Sequence, residues 1–238
     1  MVPVTDSGGR GIFVTGTDTG VGKSLVSAAL ARFLVRQGMR VGVMKPVESG
    51  VADLTVLGDD GKLLRWAADC AAPIELISPC RLSEPLAPSL AAELAGTPID
   101  IDGLVSKAKQ LLEAYDFVII EGAGGLMVPL LDTFMVGDLA RRIGLPLLTV
   151  CRPGLGTINH TLLTLQAARA WGLEPAGLVV NGMPDFPGLA EKHAPAMLAE
   201  LGCIEVWKVL GQVAGDDRQK VEALSQQFGD GLMELLFR

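Results

Sequence analysis

Histidine, cysteine and aromatic side chains are scarce in this chain of 238 residues, which holds 2 His, 4 Cys, 3 Trp and 1 Tyr. The cysteines, Cys70, Cys80, Cys151 and Cys203, lie far apart with no C-x-x-C pair. That spacing argues against a zinc site or a disulfide framework and suits reduced, packed thiols in a cytoplasmic protein. His160 and His193 have no Ser, Cys or acidic neighbour at a recognisable catalytic spacing, so no histidine-activated nucleophile is expected. A basic surplus is also missing. The formal net charge is -7, which weighs against nucleic acid and anionic membrane as partners. No apolar run reaches the roughly 18 residues that a membrane span needs. The N-terminal MVPVTDSGGR has no basic stretch followed by an apolar one, so no secretory leader is expected.

What the chain has is small apolar residues. Hydrophobic residues make up 49%, carried by Ala, Val and Leu with many glycines, a mixture that suits helices packed closely on a parallel sheet. Apolar strand-like runs at 11–16, 40–46, 116–125, 146–152, 176–182 and, more weakly, 205–211 alternate with helical patterns at 23–37, 61–71, 101–114, 134–143, 158–171, 188–201 and 217–236. Residues 1–10 read as a loose tail, 48–61 as a loop and the proline-rich 77–90 as an extended connection. Strict alternation predicts an α/β fold, a mostly parallel sheet flanked by helices in three layers. With no internal repeat or linker, one domain spanning 1–238 is expected. In such sheets ligands bind beyond the carboxyl ends of the strands.

The stretch 16-GTDTGVGKS-24 lies at such an end. A phosphate-binding loop reads G-x-x-x-x-G-K-[ST]. Gly22-Lys23-Ser24 supplies its right half, but Thr17 stands where the first glycine belongs and Gly16 is one residue early. The strand–turn–helix setting still predicts backbone N–H groups wrapped around phosphate oxygens, with Lys23 against the outer phosphates and Ser24 offering its hydroxyl to Mg²⁺. Glu121 ends the most apolar run, where a carboxylate commonly just caps backbone N–H groups. Followed by the bare 122-GAGG-125, it is instead a candidate Mg²⁺ ligand. Lys45 ends the second strand. A strand-end lysine is usually a solvated charge, but beside a phosphate loop it can steady a transferring phosphoryl group. Asp59 and Asp60 sit in a polar turn. Asn181 ends a strand before Gly182, placed to turn the chain or to hydrogen-bond a purine.

Taken together, GTDTGVGKS (16–24), KPVESG (45–50), EGAGGLMVPLLDT (121–133), GLGTINHTLLT (154–164) and AGLVVNG (176–182) closely resemble the dethiobiotin synthetases. The resemblance covers most of the chain and implies a P-loop NTPase-like, three-layer ligase. By that likeness, 7,8-diaminononanoate takes up CO₂ (supplied as bicarbonate) as a carbamate, ATP activates it as a carbamic–phosphoric anhydride, and the ring closes to dethiobiotin with release of ADP and phosphate. It further implies Lys45 and Lys23 as catalytic residues, and Ser24, Asp60 and Glu121 as Mg²⁺ ligands, with Asp59 open as the alternative to Asp60. ATP would be held by Gly20, Val21, Gly22, Lys23, Ser24 and Leu25, by Gly122, Ala123 and Gly124 after Glu121, by Asn181 and Gly182, and by Gly215. Thr19 and Ser49 would contact the diamine. Leu155, Gly156, Thr157 and Asn159 would hold the substrate carboxylate bound by the partner subunit of a homodimer.

Two positions depart from the family pattern: Gly20 replaces a common glutamate, and 211-GQVAGDD-217 lacks a usual proline at the nucleotide wall. The nearest rival is a ParA/MinD-like switch ATPase, which shares the loop ending but has a signature lysine where this chain has Asp18. An amidotransferase-type ligase would need a glutaminase partner, and a GTPase would need an N-K-x-D motif, which is absent.

Overall fold

The computed structural model describes residues 10–229 and 231–237. Strand β1 (Arg10–Gly16) runs from an exposed end into five consecutive buried residues and stops at the glycine-rich loop. Helix α1 (Lys23–Arg36) follows, and the chain leaves it through Gly38 at φ +83°, the left-handed exit that glycine makes easy. Next comes β2 (Val41–Met44), buried throughout. Then come β3 (Val47–Ser49), α2 (Asp59–Ala67), α3 (Ile74–Ile77), β4 (Cys80–Leu82) and α4 (Pro88–Leu94). Strands β3 and β4 pair in parallel as a small sheet of their own. Helix α5 (Ile101–Ala114) starts at Asp100, whose carboxylate accepts the Gly103 N–H at 2.9 Å. It leads to β5 (Phe117–Glu121), with all five residues buried. An antiparallel pair, β6 (Pro129–Leu131) and β7 (Phe134–Met135), precedes α6 (Val136–Ile143). The chain closes with β8 (Leu147–Cys151), α7 (Thr157–Ala170), β9 (Pro175–Met183), α8 (Leu189–Gly202), β10 (Val206–Gly211), α9 (Asp217–Gln227) and α10 (Gly231–Leu236).

The main sheet has six strands in the order β10-β9-β8-β1-β5-β2, every neighbouring pair parallel. Helices flank it, as the alternation predicted. Its central strands contribute the largest fully buried side chains, among them Ile12, Phe13, Phe117, Ile119 and Ile120. Burial on both faces explains why these runs are apolar throughout rather than alternating. The connection after β5 passes over β1 to reach β8, so the strand order turns at β1. A crevice forms at the carboxyl ends where such a turn occurs. Gly16, Lys45, Glu121, Arg152 and Asn181 all lie at or just beyond those ends. No described helix is long and apolar enough to cross a membrane.

Several boundaries differ from expectation. The tail lies outside the described residues except for Arg10, which is already strand and stacks on Phe237. The second helix covers Asp59–Ala67 rather than 61–71, because Asp59 and Asp60 occupy its first turn, where acidic groups meet the helix dipole favourably. The loop at 48–61 therefore contains the end of β3 and the start of α2. The connection at 77–90 holds β4 and begins α4, with Pro88 in the first helical turn where its missing N–H costs nothing. The terminal helix expected over 217–236 breaks after Gln227. Phe228 takes an extended conformation and turns inward, 5.9 Å from the Phe33 ring.

Candidate active site

The glycine-rich loop joins β1 to α1 as the strand–turn–helix setting predicted. Gly22 caps the helix at φ +89°, a left-handed conformation, and a Cβ there would lie 2.2 Å from Asn181 Nδ2. Only glycine fits. Helix α1 has no side-chain cap and no acid in its first turn, so its free N–H groups and positive dipole end face the crevice. By contrast, α5 and α9 are capped by Asp100 and Asp216. Lys23 is buried and donates from Nζ to the Asp18 carbonyl at 3.0 Å. Burial lowers its pKa, against the opposing pull of Glu121. The Asp18 carboxylate accepts the Thr19 N–H at 2.7 Å and pairs with Arg152 at 3.0 Å, tying the loop to the end of β8.

Beside the loop stands a compact charged group. Lys45 Nζ lies 2.5 Å from Glu121 Oε1 and 2.7 Å from Asp60 Oδ2. Ser24 Oγ donates to the same Glu121 oxygen at 2.8 Å. Burial alone would lower the Lys45 pKa, but the two carboxylates outweigh it and raise it. Burial would likewise raise Asp60, yet Lys45 holds it below the usual carboxylate range. Glu121 is fully buried, and its Oε2 has no hydrogen-bond partner. An orphaned carboxylate oxygen beside a serine hydroxyl and a second carboxylate is a hard-oxygen donor set of the kind that Mg²⁺ takes together with phosphate oxygens and water. Among the described residues no group of three His, Cys, Asp and Glu side chains could hold a metal. The fit is thus to a cation that shares its shell with a nucleotide. Asp59 also lines the cleft that opens here, but its carboxylate is fully exposed and pairs with Lys62 at 3.5 Å. Asp60, not Asp59, contacts Lys45.

A family model described as an AAA domain matches residues 10–221. The ATP-dependent dethiobiotin synthetase BioD of Thermodesulfovibrio yellowstonii is 38% identical, covering 89% of this chain and 92% of its own. That of Anaeromyxobacter sp. (strain K) is 45% identical over 81% and 85%, and that of Bacillus subtilis (strain 168) 37% identical over 89% and 91%. The chain belongs to the dethiobiotin synthetase family. Solved structures resemble it more remotely: the MinC:MinD cell division protein complex of Aquifex aeolicus (TM-score 0.61, covering 96% of each chain) and a ParA family ATPase of Chlorobium tepidum (TM-score 0.57, covering 91% of this chain and 90% of that one). Both are 14% identical, a likeness of fold and not of chemistry.

In this dethiobiotin synthetase fold a cleft of about 810 Å³ contains Thr19, Gly20, Gly22, Lys23, Ser24, Leu25, Lys45, Ser49, Asp60, Glu121, Ala123 and Gly124. The candidates drawn from four separate segments thus share one space. A second cleft of about 450 Å³ lies on the other side of the loop and shares Gly20, Gly22 and Leu25 with the first. Val21, Asn181 and Gly182 line it, together with Gln212. Asn181 Nδ2 donates to the Val21 carbonyl at 3.0 Å, so this amide also pins the loop. Gly122 lines neither cleft. A Cβ there would meet the Phe13 and Val136 side chains at 3.0 Å, a tight fit to which they would have to yield. Gly215 also lines neither; Gln212 and Asp217 from its segment do. Leu155, Gly156, Thr157 and Asn159 lie outside both clefts, Leu155 being 90% exposed. The sequence reading missed Glu48, although it is part of the KPVESG motif, and it missed the wall Pro85-Leu86-Ala87-Pro88. The signal for that wall was a proline positioned to open a helix.

Proposed function

We propose that this chain, working as one ligase domain, catalyses Mg²⁺- and ATP-dependent closure of 7,8-diaminononanoate with CO₂ to dethiobiotin, a step of biotin biosynthesis in the cytoplasm. The observation that carries the reading is Lys45, buried between Glu121 and Asp60 and joined through Glu121 to Ser24 of the phosphate loop. In water a lysine gains little from such partners. Held in place by these contacts, the group is preorganised toward developing negative charge.

One amine of the diamine attacks CO₂ and loses a proton, giving a carbamate. A carbamate oxygen attacks the γ-phosphorus of ATP, the bond to ADP breaks, and a carbamic–phosphoric anhydride forms. The second amine attacks the carbamoyl carbon and loses a proton, phosphate leaves with the bonding pair, and a cyclic urea results. The free N–H groups of α1 and the Lys23 ammonium hold the outer phosphates. Lys45, on the opposite side, offsets the charge shared by carbamate and phosphoryl oxygens. Ser24, Asp60 and Glu121 would hold Mg²⁺, which would add charge neutralisation of the phosphates. Thr19 and Ser49 offer hydroxyls to the diamine. The wall of Pro85, Leu86 and Pro88 fits its methylene chain. Asn181 reads the adenine beside Gly182. Leu155, Gly156, Thr157 and Asn159 take the carboxylate of a substrate bound in the partner's cleft. In support, α7 starts at Gly156 with no side-chain cap and no acid in its first turn.

The test is incubation of the protein with 7,8-diaminononanoate, bicarbonate, Mg²⁺ and ATP, with dethiobiotin and ADP followed by mass spectrometry. Folded protein that yields no dethiobiotin sinks the proposal. Lys45→Ala should abolish turnover and leave ADP binding measurable; equal loss of both contradicts its assigned role.

A further inference from the structure

Glu48 is a buried carboxylate that the reaction as described does not use. Its Oε1 accepts the Gly61 N–H at 3.1 Å, and its Oε2 accepts the Ser78 hydroxyl at 2.9 Å. Gly61 is in the first turn of α2, so Glu48 meets that helix at its positive end. The approach is so close that a Cβ on Gly58 would lie 2.3 Å from Glu48 Oε1 and one on Gly61 3.0 Å from Oε2. The quartet Gly58-Asp59-Asp60-Gly61 is therefore built around this carboxylate, its two glycines making room and its second aspartate reaching Lys45 at 2.7 Å. Neither α2 cap residue bonds the helix through a side chain, which leaves Glu48 to fix the first turn from β3.

We propose that Glu48 is a positioning residue, clamping the N-terminus of α2 so that Asp60 stands against Lys45 and the cation site. The functional half of this inference rests on the reading of Asp60 as a Mg²⁺ ligand given above. Removing the clamp frees the helix start and blurs the position of Asp60, while the isosteric amide of glutamine still accepts the Gly61 N–H.

The full chain is compared with Glu48→Ala, Glu48→Gln and Asp60→Asn by two measurements. One is amide hydrogen exchange over residues 58–64 without nucleotide; the other is the Mg²⁺ concentration that half-saturates ADP binding in calorimetry. Glu48→Ala should exchange about tenfold faster over that segment and require roughly 10–100-fold more Mg²⁺, the usual cost of losing a support behind a metal ligand. Glu48→Gln should stay within about threefold of wild type on both measurements. Asp60→Asn should match Glu48→Ala in its Mg²⁺ requirement but not in exchange. Unchanged exchange in Glu48→Ala, or faster exchange with an unchanged Mg²⁺ requirement, overturns the proposal. A glutamine variant as impaired as alanine also overturns it, since charge and not placement would then be what the site needs. If Glu48→Ala does not fold, Glu48→Asp replaces it: shortening the reach must reproduce the defect, and wild-type behaviour overturns the clamp. Wild-type Mg²⁺ dependence in Asp60→Asn instead removes Asp60 as a ligand, and exchange alone then decides the clamp.

Discussion

Lys45 shows how single residues acquire chemistry here. Its two carboxylate partners keep it charged despite burial, and it keeps Asp60 charged in return. Breaking one side of a buried pair costs several kcal/mol. Glu121→Gln should therefore lower stability by about 3 kcal/mol in urea unfolding, besides removing a Mg²⁺ donor; an unchanged midpoint would mean that Glu121 is not part of the pair. The pH dependence follows from the directions of the shifts. Asp60 is depressed, so its stabilisation is present above the ordinary value of ~3.9 and lost as pH falls through the depressed one. Lys45 is raised, so its share is full below ~10.4 and lost only as pH rises through the raised value. Wild type should thus exceed Asp60→Asn in stability at neutral pH, and the gap should close in acid. Lys23 is shifted down, so ADP affinity should begin to fall with rising pH before the ordinary lysine value of ~10.4. Calorimetry across pH 7 to 10 reads this, and a flat profile would contradict the assignment of Lys23 to the phosphates.

At the scale of elements, the junction of loop and helix is the most constrained part of the fold. Gly22→Ala places a Cβ on Asn181 and forces a left-handed conformation that costs an L residue roughly 1–2 kcal/mol. ADP binding should be lost in Gly22→Ala, read by calorimetry; wild-type affinity would mean that the loop tolerates a Cβ at this position. Away from the site, Asp100→Ala should cost about 1 kcal/mol by removing the α5 cap. The loop was legible in the sequence because its glycine spacing and the adjacent strand answer to local rules. Helix α4 and the pair β6–β7 were not, because a seven-residue helix and strands of three and two residues are too short to show a period. Glu48 was missed for another reason: a glutamate two residues after Pro46 looks like any polar strand-end residue until α2 folds over it.

For the whole molecule, the apolar surface of α7 and α8 stands out. Leu155, Leu163, Phe186, Leu189 and Leu201, in or just before these helices, are each more than half exposed. The proposed homodimer would set these residues against a second copy. The chain should sediment as a dimer, and Leu163→Asp with Leu189→Asp should shift it toward monomer and lower turnover together. Full turnover by a monomer would refute the split substrate site. The fold by itself would have misled, since its solved neighbours include a ParA family ATPase and a MinD complex. At the level of sequence, Asp18 in the place of the switch ATPases' signature lysine argued against that reading.

The sequence by itself determined the alternation of strands and helices, the phosphate loop and the family, because each depends on residues close together in the chain or on motifs whose spacing is self-sufficient. Tertiary structure alone showed which of Asp59 and Asp60 meets Lys45. These neighbours have the same charge and the same local propensity, and only the rotation of α2, held at its start by Glu48, turns one toward Lys45 and the other into water. It also decided that Gly122 packs against Phe13 rather than lining the cleft, and that Leu155 to Asn159 stand apart from the phosphate loop. Those outcomes depend on contacts between segments far apart in sequence, which no local pattern encodes.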